Sequence, residues 1–313
     1  MKARSSQRGV ALVLVMWAAV LLTVVMSSFI LERRSEMLVM HNSISMARAE
    51  AIADAGVQRA VWEMYRSDNS PAAWKRDGSV QKWSFDGVPV RVLICDESAK
   101  IDINTASDAL LRGMFISIGM TDDEAAKIVD AILDWRDADS FKRPNGAEEP
   151  EYRAAGLPYK PANAPFQAIE ELQLVLGMRP EIYRRIAPMI TVFSRQPGVN
   201  AQLASRDVLL AIPGTTSDVV DQYVAAREAA LAQGQPLPQF SQAGAYASGY
   251  TMVATVRSEA RLEDGTVFAR EAVALLRPAP RRVVTFVAWR ESTAGTPETD
   301  NPAAGNAQPA PRS

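Results

Sequence analysis

Residues 10–31 carry no charged side chain and follow a short segment that holds Lys2, Arg4 and Arg8 but no acid. A helix rising about 1.5 Å per residue would make this run about 33 Å long, enough for a hydrocarbon core about 30 Å thick. Basic residues ahead of the run predict a cytoplasmic amino terminus, with the bulk of the chain on the far side. The run is longer than the apolar segment of a secretory signal, about 7–15 residues, and no convincing small-x-small cleavage site follows it. A single crossing is expected. The better cleavage candidate lies before the run, between Gly9 and Val10.

The helix is expected to continue beyond the apolar run. Residues 32–66 contain no proline and one glycine, Gly56, and are rich in the good helix formers Ala, Met, Glu and Arg. Met46, Ala49, Ala53, Val57, Ala60 and Met64 recur at helical spacing, which predicts a core-facing stripe. Glu50, Asp54, Arg59 and Glu63 supply the wet side, and His41 reads as a solvated histidine near the start of this segment. The Ser-Asp-Asn-Ser-Pro sequence at 67–71 ends the helix.

Strand patterns lie on both sides of a long helical middle. Residues 82–95 read as two strands around the Asp86-Gly87 turn, with Val88, Val90, Val92 and Ile94 in alternation. Residues 250–262 and 266–277 flank Glu263-Asp264-Gly265, a hairpin signal because Asp-Gly tolerates positive φ. Residues 282–290 are a further strand, and 291–313 have the composition of a disordered tail. The expected class is α+β: a long N-terminal transmembrane helix and a small antiparallel sheet, formed by residues 67–97 and 241–290. A large helical insertion fills residues 98–240.

That middle contains an uneven repeat. Ile118-Gly119, Leu176-Gly177 and Pro213-Gly214 are each followed four residues after the Gly by an acid, Asp123, Glu181 or Asp218. Ile128, Ile186 and Tyr223 lie nine residues after each Gly. Each unit reads as a helix–turn–helix hairpin: Gly makes the turn, the acid complements the next helix's positive end, and the later apolar residue packs back. The shape is similar to helix-hairpin-helix modules that hold DNA phosphates. Phosphate binding wants Lys or Arg beside the turn, whereas Asp122, Asp123 and Glu124 follow the first one. Packing is therefore the expected use, with a membrane-anchored DNA-contacting protein as the rival.

A basic leader ending in Gly9, followed by an apolar helix that runs into an amphipathic one, resembles the type IV pilin and pseudopilin class. In that class prepilin peptidase cuts after the glycine, which maps the leader onto residues 1–9 and the mature start onto Val10. Most members carry Glu at the fifth mature position; here it is Leu14. That omission resembles the K-type minor pseudopilins of type II secretion systems. So do Asp102-Ile103-Asn104-Thr105-Ala106, Asp134-Trp135-Arg136-Asp137-Ala138-Asp139-Ser140, Asn163-Ala164-Pro165-Phe166 and Glu170-Glu171-Leu172. The resemblance implies a non-catalytic subunit anchored in the inner membrane, its head in the periplasm, that caps the pseudopilus tip and primes assembly. Implied partners are the H-, I- and J-type minor pseudopilins, the major pseudopilin, prepilin peptidase and the inner-membrane secretion platform. A minor pilin of a type IV pilus is the alternative.

Asp134, Asp137, Asp139, Glu148 and Glu149 bracket a Pro-Asn-Gly turn, with Asp130 as a spare. Calcium takes six to eight oxygen ligands of this kind, although the spacing is not that of an EF-hand. The K-type resemblance implies bound calcium at these positions; a solvated acidic loop, with Asp134 and Arg136 paired locally, is the equal alternative.

Composition removes other chemistries. With 34 basic and 36 acidic side chains, the chain does not grip nucleic acid by charge alone. One histidine and one cysteine, Cys95, exclude a Cys/His zinc site and an intramolecular disulfide. No nucleotide-binding, nucleophile-elbow or HExxH motif occurs, and no enzyme activity is expected.

Overall fold

The computed structural model describes residues 8–66, 73–276 and 284–292, with the side chains at 8–11 and 28–35 outside the described set. Helix α1 (Arg8–Tyr65) is one uninterrupted element of 58 residues. It is followed by β1 (Asp77–Phe85), β2 (Val88–Asp96) and the two-residue β3 (Ile101–Asp102). Helices α2 (Asp108–Ser117), α3 (Asp122–Arg136), α4 (Glu149–Ala154) and α5 (Pro180–Ile186) come next, then β4 (Ile190–Thr191), α6 (Arg206–Leu210) and α7 (Ser217–Gln233). The chain returns through β5 (Val253–Arg261), β6 (Val267–Leu276) and β7 (Val284–Ser292). The turn at 67–71, most of the leader and residues 293–313 lie outside the described residues.

Five strands form an antiparallel sheet in the order β1-β2-β5-β6-β7. The two sequence-predicted turns have the backbone that their residues favour: Asp86 and Gly87 at φ 49° and 76°, and Gly265 at 88°. The C-terminal half of α1 lies across one face. Ala49, Ile52, Ala53, Val57 and Ala60 are buried against Val90, Val92, Ile94, Val256, Ala260 and Ala272. Small residues let the helix approach closely. At Gly56 an added Cβ would stand 2.1 Å from Ser258 Oγ. Glu63, expected on the wet side, is buried instead, because Arg59 and Arg66 flank it and neutralise its charge.

Between β2 and β5 the chain builds a second, helical core around Leu110, Met114, Phe115, Ile132, Tyr152, Ile186 and Val208. Each repeat glycine stands at positive φ, 92° at Gly119, 89° at Gly177 and 80° at Gly214. The flanking helices are capped by Ser107, Ser205 and a Thr121–Glu124 capping box. The first and third repeats are α2–α3 and α6–α7; the middle one pairs α5 with a 3₁₀ helix (Ile169–Leu174). Related arginine clasps close the outer two: Arg136 donates to the carbonyls of Ile103 and Ala106, and Arg227 to those of Ala201 and Ala204.

Two buried carboxylates join the helical core to the sheet. Asp96 Oδ1 accepts from Ser98 N at 3.0 Å and Thr251 Oγ1 at 2.8 Å, and Arg76 lies 3.0 Å from its other oxygen. Glu97 accepts from Lys100 Nζ at 3.0 Å, from Thr255 Oγ1 on the sheet at 2.6 Å, and from Thr191 Oγ1 on the helical side.

Among the described residues no helix is long and apolar enough to cross a membrane. Within the 10–31 run the described side chains are those at 12–27, where Leu12, Leu14, Val15 and Trp17 are exposed.

Candidate functional site

The acidic segment predicted from sequence leaves the C-terminal end of α3 and runs to the start of α4. Helix periodicity turns Asp130 and Asp134 inward, since both lie on the face that buries Ile128, Ala131 and Trp135. Asp134 is fully buried, and the amide of Arg143 donates to its carboxylate at 3.2–3.3 Å. Gly146 makes room for it: a Cβ there would stand 2.0 Å from Asp134 Oδ2. Asp130 Oδ2 receives the backbone and side-chain amides of Asn145 at 3.0 and 3.1 Å. The loop is therefore wound around the two helix carboxylates. Arg136 turns away from Asp134 to its carbonyl clasp, which overturns the local pairing considered from sequence.

Four of the five sequence candidates act on one another electrostatically. Burial pushes the Asp134 carboxyl up to about 6, with the Asp137 charge adding to the rise against the Arg143 amide. Burial and then Asp139 raise Asp137; burial and then Asp134, Asp137 and Asp139 raise Glu148. Glu149 stands apart, paired with Arg153 at 2.5 Å and Lys160 at 3.6 Å. Two buried oxygens, Asp137 Oδ1 and Glu148 Oε1, have no hydrogen-bond donor. Carboxylates crowded at raised proton affinity, with unpaired buried oxygens, are the donor set that a hard cation prefers. Among the described residues, however, no group of three such side chains stands in metal-holding geometry.

A rigid aromatic wall backs the loop. Trp135 stacks on Phe166 at 5.9 Å, and Tyr152 packs between Trp135 and Tyr159. The Tyr152 hydroxyl accepts from Leu176 N at 3.0 Å, and burial pushes its pKa up to about 12. The Asp96–Glu97 junction was not found from sequence; its signal was two consecutive acids at the end of an apolar strand. Gly9 and Val10 stand at the start of α1, and their side chains are outside the described residues.

The family described as type II secretion system (T2SS), protein K, matches residues 95–197, the span that holds the junction, the first hairpin and the acidic loop. A type II secretion system protein K from Pseudomonas aeruginosa is 27% identical over 244 residues, covering 70% of this chain and 73% of that protein. The protein K of Pectobacterium carotovorum subsp. carotovorum is 28% identical over 210 residues, covering 60% and 63%. Over these spans the chain is similar to type II secretion system protein K. The fold is also similar to one in the crystal structure of the GspK-GspI-GspJ complex from the enterotoxigenic Escherichia coli type 2 secretion system. One of its chains superimposes with a TM-score of 0.57 at 15% identity, covering 84% of this chain and all of that one. The loop carboxylates Asp134, Asp137, Asp139, Glu148 and Glu149 all fall within the matched protein K span.

Proposed function

We propose that this chain is a non-catalytic minor pseudopilin that caps the pseudopilus tip and primes its assembly for protein export across the outer membrane. The match of residues 95–197 to the protein K family carries the reading. Shape supports it. A helical unit with its own core sits on a thin helix-and-sheet stem, and its bulk suits the end of a fibre rather than the inside. The stem supports it too. Met37, Leu38, Val39, Met40 and Ile44 on α1 are exposed beyond the sheet's reach, an apolar surface suited to a helix bundle with other minor pseudopilins.

In this reading residues 10–31 cross the inner membrane, prepilin peptidase removes 1–9, and the head lies in the periplasm. Leu14 at the fifth mature position places no carboxylate in the apolar bundle, so no subunit above is needed to neutralise one. Asp134, Asp137, Asp139 and Glu148 would supply oxygens for calcium, which would neutralise the loop's crowded charge.

The central test is co-expression of the full chain with I- and J-type minor pseudopilins. Isolation of a defined complex in detergent is expected, and elution of the chain alone would refute the reading. N-terminal sequencing of membrane material should begin at Val10; any other start rules out leader removal after Gly9. Chelation should lower the unfolding temperature if calcium is held in the loop, and an unchanged value removes calcium from the proposal.

A further inference from the structure

α1 covers one face of the five-stranded sheet. Strand alternation sends Lys82 of β1, Arg91 and Leu93 of β2, Glu259 and Arg261 of β5, and Val267 of β6 to the opposite face. The register sets Lys82 opposite Arg91, Arg91 opposite Glu259, and Arg261 opposite Val267. At the end of the sheet away from the helical unit, three cations therefore gather around one carboxylate. Arg257 shares this face one row nearer the helical unit, opposite Glu271, whose carboxylate holds Arg290.

The cations exceed what Glu259 can neutralise. Glu259 is 2% exposed, and its ion pair is a loose one, 3.6 Å from Arg261, whose side chain is 59% exposed. Arg91 stands directly across the ladder from Glu259, yet among the described residues neither Arg91 nor Lys82 makes an ion pair, and the buried Arg91 Nε has no hydrogen-bond acceptor. Lys82 is exposed, and the half-buried side chains of Leu93 and Val267 lie between the charges. A surface of this kind attracts acids. An unbroken line of phosphates would meet the Glu259 carboxylate in its path. An extended peptide avoids that repulsion by placing an apolar residue between two acids, because alternate side chains point to one side.

We propose that this sheet face is a docking site for an extended acidic segment of a partner protein. Its carboxylates face Lys82, Arg91 and Arg261, and the apolar residue between them covers Leu93 and Val267. The site is independent of the acidic loop and of the anchor.

The test uses the full chain in detergent micelles with labelled leucine and valine methyl groups, titrated at low salt with acetyl-Glu-Thr-Val-Thr-Glu-amide. Saturable shifts at Leu93 and Val267 are expected, while Val90, Val92 and Val256 on the α1 face stay unmoved. Binding should vanish for acetyl-Lys-Thr-Val-Thr-Lys-amide. Lys82→Gln/Arg91→Gln should weaken it about three- to tenfold, since each exposed ion pair contributes little alone, and the exposed single variant Lys82→Gln about twofold. Unmoved α1-face methyls in the free variants show that the fold is intact. Deleting residues 293–313, which carry Glu298 and Asp300, should leave the affinity unchanged. Absence of saturable shifts, equal binding of the two peptides, tighter binding of a short DNA duplex, or a tenfold gain on deleting 293–313 would overturn the proposal.

Discussion

Replacing Glu97 by alanine tests whether the buried junction holds the helical unit on the sheet. Its side chain is 1% exposed and is the shared acceptor for Lys100, Thr191 and Thr255. Truncation strands the buried Thr191 hydroxyl, the half-buried Thr255 hydroxyl and an ammonium. Breaking a buried pair costs about 3–5 kcal/mol, and Lys100 keeps some contact with water at 26% exposure, so the lower end applies, about 3 kcal/mol. For a chain of this size that is about 6–12 °C in unfolding temperature. Near-ultraviolet circular dichroism of the full chain in detergent would read it. Burial alone would raise the Glu97 carboxyl, but the Lys100 ammonium and the two threonine hydroxyls outweigh burial and hold it low. Its folded value thus lies below its unfolded one. The stabilisation is present above the usual carboxylate range and is lost as pH falls through the folded value. Glu97→Gln should flatten that acid limb, and Glu97→Leu/Lys100→Met should recover part of the loss because no charge is left stranded. An unfolding temperature within about 1 °C of wild type for Glu97→Ala would refute the reasoning.

Gly56→Ala should lower stability by about 1–3 kcal/mol through overpacking against Ser258, read as a denaturant midpoint, with Ser258→Gly restoring part of it. Gly119→Ala meets nothing within 4 Å, so its cost is the left-handed backbone alone, about 1–2 kcal/mol by the same measurement. Asp134 titrates at about 6 when folded, above its unfolded value of 3.8. Without divalent cations, stability should therefore fall between about pH 4 and pH 6 as the buried carboxyl ionises, and Asp134→Asn should remove that slope.

Much of this architecture is legible in the sequence because local chemistry dictates it. The small-residue stripe from Ala49 to Ala60 can bury only one helix face, and Asp86-Gly87 and Asp264-Gly265 are turns that few other pairs would make. The three repeat glycines were found the same way, since no other residue takes φ near 90° without strain. What escaped depends on distant partners. Glu63 looked solvated until two arginines covered it, and Arg136 looked like the mate of Asp134 until carbonyls from a preceding turn claimed it. In the acidic loop the sequence showed five neighbouring carboxylates but not the separation of Glu149, which Arg153 and Lys160 draw outward. β3 and β4 pair in parallel over two residues, too short for any periodic signal.

The hydrogen bond between Asp96 and Thr251 bears on how such a molecule could arise. It clasps the chain where it departs from β2 and where it comes home to β5, and those strands are antiparallel neighbours. Excising everything between and splicing in a tight loop would leave an ordinary hairpin. The head can thus be remodelled without disturbing the strands that carry it.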